Sequence, residues 1–257
     1  MEAGLRTPLL DFFRRGEVAR DVRLLAAQGA VAPRPVEQLG LLMMLTGDAD
    51  AEVRATAEAT LARIPPHLIA AFIARSDAPL ELREFFVARG IEPVADPSAA
   101  DDPLVDTDDQ DYGSEAVTDA ERASIVQRLQ SMSVPEKVRA AMKGSREMRA
   151  ILIRDPNKLV AMAVLSSPKM TENEIEGIAR MGNVSDDVLR TIGQTRAWTK
   201  NYTILLGLVK NSKTPIAVSL TLLSRLNDRD LRNLSTDRNV PEPLRIAARK
   251  RVMSGEK

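Results

Sequence analysis

Apolar positions recur every three or four residues along most of the chain, with polar and charged residues in the intervals, and alternating runs of the β kind are missing. Glycines punctuate the pattern at Gly16, Gly29, Gly47, Gly90, Gly144 and Gly182. The spacing predicts helices near 5–15, 17–28, 34–46, 50–63, 66–75 and 79–89. Further helices are predicted near 118–131, 135–143, 145–154, 156–166, 171–181, 185–193, 198–210, 214–226, 228–235 and 241–253. Between the two sets, residues 96–121 lack helical periodicity and offer too few large apolar groups to offset the entropy of being ordered. The expectation is an all-α chain in three parts: an N-terminal helical domain (1–95), a disordered acidic linker (96–117) and a C-terminal helical domain (118–257).

One phrase repeats where helices should begin. It reads "NVPEPLRIAARKR" at 239–251, "SVPEKVRAAMK" from 133, "NVSDDVLRTIG" from 183, "DAPLELREFFV" from 77 and "GDADAEVRATA" from 47. Pro135, Pro156, Pro215 and Pro241 each stand three residues before an apolar residue. Proline suits the first helical position, where its φ is already set and its missing N–H would have had no partner. An acid often follows, complementing the positive end of the helix dipole. The phrase is a helix start, and its recurrence predicts that one helix-turn-helix unit is stacked.

The stretch "GDADAEVRATAEATLARIP" (47–65) has an Asp-rich turn, the Val53-Arg54 pair, and Ala57 and Leu61 at helical spacing. It resembles a HEAT or armadillo-type helical repeat. Weaker copies each keep an apolar residue followed by Arg83, Arg139, Arg190 or Arg245. The resemblance implies stacked helix pairs, each burying what its neighbour exposes, in proteins that act by interaction. Successive arginines are 29, 56, 51 and 55 residues apart, so the expected arrangement is two short irregular stacks.

Charge alters this picture more than bulk composition does. The 257 residues balance 36 Lys and Arg against 36 Asp and Glu. Residues 1–95 hold 11 Arg and no Lys against 13 acids, 96–121 hold 10 acids and no base, and 122–257 hold 25 bases against 13 acids. An acidic tether thus adjoins a basic domain, which bears on partners and not on fold. Without cysteine there is no disulfide and no thiolate chemistry. The first residues lack the apolar core of a signal peptide, and "LGLLMML" from Leu39 falls far short of the roughly 20 residues a membrane span needs. A cytoplasmic protein is expected.

Catalytic chemistry finds little to work with. The single histidine, His67, follows a double proline at a helix start and has no nucleophile or orienting acid beside it in the pattern, so it reads as a surface or capping residue. One histidine and no cysteine leave the usual zinc patterns unfilled. An EF-hand register begun at Asp106 puts Asp111 where glycine belongs and Val117 where glutamate belongs. No glycine cluster cradles a phosphate, and "KGSRE" (143–147) reads as a helix break with Ser145 as the next N-cap. The expectation is no catalytic residue, no cofactor, no metal and no small-molecule substrate.

Binding chemistry concentrates late in the chain. "RAWTKNYTILLGLVKNSK" (196–213) interleaves Trp198 and Tyr202 with Arg196, Lys200, Lys210 and Lys213. Bases beside aromatic rings suit single-stranded nucleic acid. Trp198, Tyr202, Leu205 and Val209 also fall along one face of a helix over 198–210, so a core stripe is the preferred reading. "RIAARKRV" (245–252) contributes Arg245, Arg249, Lys250 and Arg251, either as a grip on an anionic surface or as cations at a helix C-terminus. Arg54, Arg139, Arg190 and Arg245 are expected to form a ladder with acids of neighbouring repeats. The leading expectation is a non-enzymatic scaffold whose basic C-terminal surface meets an acidic protein, with the acidic linker as a built-in competitor. A nucleic-acid-binding HEAT-like protein, at the extreme resembling a DNA glycosylase, is the second. A subunit built mainly for assembly, with Met43, Met44, Met142, Met148, Met162, Met170 and Met181 as adaptable contacts, is the third.

Overall fold

The computed structural model describes residues 5, 7–32, 34–95, 104–105 and 119–255, with backbone alone at 119–121 and 254–255. Their regular structure is entirely helical, without strands: α1 (Pro8–Arg14), α2 (Arg20–Ala27), α3 (Pro35–Leu45), α4 (Ala51–Arg63), α5 (Pro66–Ala74) and α6 (Leu80–Val87). After the acidic stretch come α7 (Asp119–Ser131), α8 (Val134–Lys143), α9 (Arg146–Leu152), α10 (Lys158–Ser166), α11 (Glu172–Arg180) and α12 (Asp186–Gln194). The last are α13 (Arg196–Thr199), α14 (Tyr202–Lys210), α15 (Ile216–Leu223), α16 (Asp228–Thr236) and α17 (Glu242–Gly255). None is long and apolar enough to cross a membrane.

Short polar side chains set many of the starts, as cap chemistry requires. Asp50 accepts from Glu52 N and Val53 N ahead of α4, and Ser185 accepts from Val188 N ahead of α12. Ser133 with Glu136, and Thr171 with Glu174, form capping boxes on α8 and α11. Ser145 accepts from Met148 N as expected for α9. Of the repeated prolines, Pro135 lies in the first turn of α8, whereas Pro215 caps α15 from one residue outside and Pro241 directly precedes α17.

One expected helix is two. The run over 198–210 breaks at Lys200–Asn201, because the Asn201 side chain accepts from Thr203 N and restarts the chain as α14. Trp198 and Tyr202 therefore do not share a helical face. Trp198 is half-buried and Tyr202 is 37% exposed, while Leu205 and Val209 are in the core.

Packing divides the chain into two compact units: Met1–Leu152 with Leu159–Lys169, and Ile153–Lys158 with Met170–Lys257. This is not the division that composition suggests at 96–117. In the first unit, α2 packs on α3, α4 and α8, α3 also meets α1, α4 and α6, and α9 joins α7 and α8. Its core holds Leu9, Leu39, Leu42, Val53, Leu82, Phe86, Val138 and Met142. Residues 159–169 belong here because Leu9 N donates to Ser166 Oγ at 3.2 Å and Ser167 Oγ donates to Met142 O at 2.9 Å. In the second unit, neighbours along the chain are neighbours in space: α11 meets α12 and α14, α12 to α15 pack in succession, and α17 closes on α15 and α16. Its core holds Ile175, Val188, Leu189, Ile192, Ile204, Leu208, Leu234 and Leu244.

Within the acidic stretch, Leu104 and Val105 are half-buried and bonded to Gln38 of α3. The expected disorder does not extend to these two. The rest of the expected linker lies outside the described residues.

Candidate functional site

The second unit carries 17 Lys and Arg against 11 Asp and Glu over its full sequence, and the eight cations expected to meet a partner all belong to it. Arg196 opens α13, Lys200 follows its last residue, Lys210 ends α14 and Lys213 lies in the turn before α15; all four are exposed. Their charged groups make no hydrogen bond or ion pair among the described residues. Other cations of this unit pair with acids: Arg180 bridges to Glu176 at 2.7 Å, Arg190 to Asp186 and Asp187 at 3.3 Å each, and Lys158 to Asp187 at 2.6 Å.

Lys210 and Arg180 line the same open cleft of about 320 Å³, together with Thr203, Leu206, Gly207 and Asn211. The cleft exists because α14 crosses α11 closely at Gly207, where a β-carbon would lie 3.3 Å from Arg180 Cγ and 3.5 Å from Ala179 Cβ. Asn211, 8% exposed, anchors the crossing. Its Nδ2 donates to Ala179 O at 2.9 Å and Met181 O at 2.8 Å, and its Oδ1 accepts from Lys213 N at 3.0 Å. Asn211 thereby satisfies carbonyls that the end of α11 leaves open, and it fixes the turn bearing Lys213.

The remaining cations lie elsewhere. Lys200 precedes the cap of α14 and Lys210 ends that helix, about 12 Å from its first residue at 1.5 Å per residue. Beside Lys200, Thr199 O accepts from Arg225 at 2.6 Å, and Ser224 O accepts from Arg251 at 3.1 Å, linking α13, α15 and α17. Arg249 reaches Ser235 O at 3.4 Å. Lys250 is exposed, while Arg245 is half-buried with its Nε enclosed and unbonded among the described residues. Of the expected cations, Lys210 shares its cleft with Arg180, and Lys200 directly follows Thr199, whose carbonyl accepts from Arg225. Arg180 and Arg225 are additions that sequence spacing did not single out.

The arginine ladder takes a different form. Arg190 pairs within its own helix, Arg139 acts on Glu136 of its own helix, and Arg54 donates to Asp48 O and Ala49 O of its own turn. Arg83 donates to Ile73 O and Arg75 O, and Arg149, 5% exposed, donates to Gly144 O. Guanidinium forks here close the carbonyls at helix ends, which would otherwise lack partners.

Tyr202 is a strut. Its hydroxyl donates to Asp230 Oδ2 at 2.5 Å and accepts from Asn227 N at 3.3 Å, tying the start of α14 to the start of α16. Burial, and next the bond to Asp230, push the phenol above its ordinary pKa. His67 is exposed near the start of α5, and no group of three or more potential metal-holding side chains occurs among the described residues. Comparison with protein-family models, with curated proteins and with solved structures finds no match for this chain.

Proposed function

We propose that the protein is a non-enzymatic interaction scaffold, an irregular HEAT-like stack of short helices whose second unit meets an acidic surface of a partner protein. One observation carries this reading: Arg196, Lys200, Lys210 and Lys213 are exposed and unpaired among the described residues, while Lys158, Arg180 and Arg190 of the same unit pair with acids. Unmatched charge at a surface is available to steer and orient a partner. The packing of chain neighbours on one another in the second unit supports the repeat reading.

Nucleic acid is the second class of partner, supported by the same cations. It is ranked lower because the hydroxyl end of Tyr202 is committed to Asp230 and Asn227, which restrains the ring that stacking would need. The test is a titration of the full chain against a labelled 20-residue Glu/Asp peptide and a 20-base-pair DNA duplex, over a range of salt. The scaffold reading expects the peptide to bind more tightly and a Lys200→Glu, Lys210→Glu, Lys213→Glu variant to lose it. Duplex binding with a steep salt slope would replace the scaffold by the nucleic-acid reading. Binding to neither probe would remove both.

A further inference from the structure

Gln38 is 1% exposed, yet both ends of its carboxamide are used, mostly by a segment 66 and 67 residues further on. Its Oε1 accepts from Leu104 N at 2.7 Å and Val105 N at 3.0 Å, and its Nε2 donates to Val105 O at 2.7 Å and Gly29 O at 2.9 Å. A carboxamide offers the same donor and acceptor as a peptide unit, so Gln38 pairs with this segment much as an adjacent strand would. It contacts main chain, which any extended sequence presents. Gly29 leaves room for the Val105 side chain: a β-carbon there would stand 3.0 Å from both Cβ and Cγ1 of Val105. Gly29 has φ +82°, a left-handed conformation that also favours glycine. The result is a slot with a main-chain reader on one side and a notch for a branched residue on the other. Three main-chain bonds and two half-buried side chains are offset by the entropy of fixing the segment, which leaves the contact near balance.

We propose that Gln38 and Gly29 form a peptide-docking slot on the first unit, with Leu104–Val105 as its built-in occupant. An extended Leu-Val-like segment of a partner protein takes the slot by exchange. This does not depend on the cations of the second unit. The tethered occupant competes at high effective concentration, so an added peptide binds the native chain weakly.

The test uses a labelled peptide of the chain's own sequence, DDPLVDTDD, and fluorescence anisotropy. The full chain carrying Leu104→Gly and Val105→Gly is expected to bind this peptide at least about tenfold more tightly than the native chain. A peptide N-methylated at its Leu and Val amides, which removes both donors to Gln38 without changing a side chain, should not bind. Adding Gln38→Leu to the double-glycine chain should abolish binding. Equal binding of the methylated and plain peptides, or no binding to a double-glycine chain that circular dichroism shows to be folded, would overturn the proposal. So would failure of that chain to fold, since the segment would then be part of the core. A native dimer, seen by light scattering and dissolved by Val105→Gly, would assign the slot to a second copy and overturn the partner reading.

Discussion

Asp50 and Asn211 show how much of this molecule rests on single polar side chains at helix ends. Asp50 caps α4 and receives Arg20, which also reaches Glu52. The bond from Arg20, and next that from Val53 N, hold its carboxyl below the ordinary carboxylate value. A depressed folded-state pKa adds stability that is present above the unfolded value and is lost as pH falls through the folded one. Asp50→Asn should therefore lower the melting temperature at pH 7, and the gap to the native chain should narrow as pH falls below about 4. Parallel thermal melts at several pH values check this. Asn211→Leu leaves the Ala179 and Met181 carbonyls without their donor, and should cost about 1–3 kcal/mol in urea denaturation. The same change should loosen the turn bearing Lys213. Both side chains bond within their own turns, but the Asn211 carboxamide also reaches Ala179 and Met181, some thirty residues away, which local sequence does not reveal.

At the scale of elements, nearly every expected helix is present, because three- and four-residue spacing and caps are local properties. The failure at 198–210 is also local. Apolar spacing runs on through Trp198, Tyr202 and Leu205, and Asn201 capping Thr203 N overrides it. An Asn ahead of Thr203 was a legible signal, outweighed by the period. What spacing does not reveal is how closely helices approach. α12 meets α15 at Gly193, where a β-carbon would fall 2.4 Å from Val218 Cγ1. Gly193→Val should cost about 1–3 kcal/mol by overpacking, read as a shift in urea midpoint with unchanged slope. Gly177, inside α11, by contrast has nothing within 4 Å of a β-carbon and should accept alanine with little change or a gain in stability.

For the whole molecule, the acidic stretch gains a fixed point. Leu104 and Val105 are held by Gln38 independently of the acids in 106–115, so the effect of those acids on anionic ligands can be tested separately from the clip. Replacing Asp106, Asp108, Asp109, Asp111 and Glu115 by Asn or Gln, with Leu104 and Val105 kept, should strengthen binding of the labelled acidic peptide. The effect should be larger at low salt, where charges about 10 Å apart are less screened. Equal affinities at low ionic strength would discard the built-in competitor.

Helix content, the positions of most ends and the charge asymmetry along the chain follow from sequence alone, since each depends on residues within a few positions of one another. Tertiary structure decided the rest. It placed 159–169 with the first unit through Ser166 and Ser167, and turned arginines toward carbonyls of other helices. It also set Gln38 against a peptide more than sixty residues away. Those pairings are satisfied by unspecialised groups, a backbone N–H or a carbonyl, which every residue carries and which therefore leave no mark in the order of side chains.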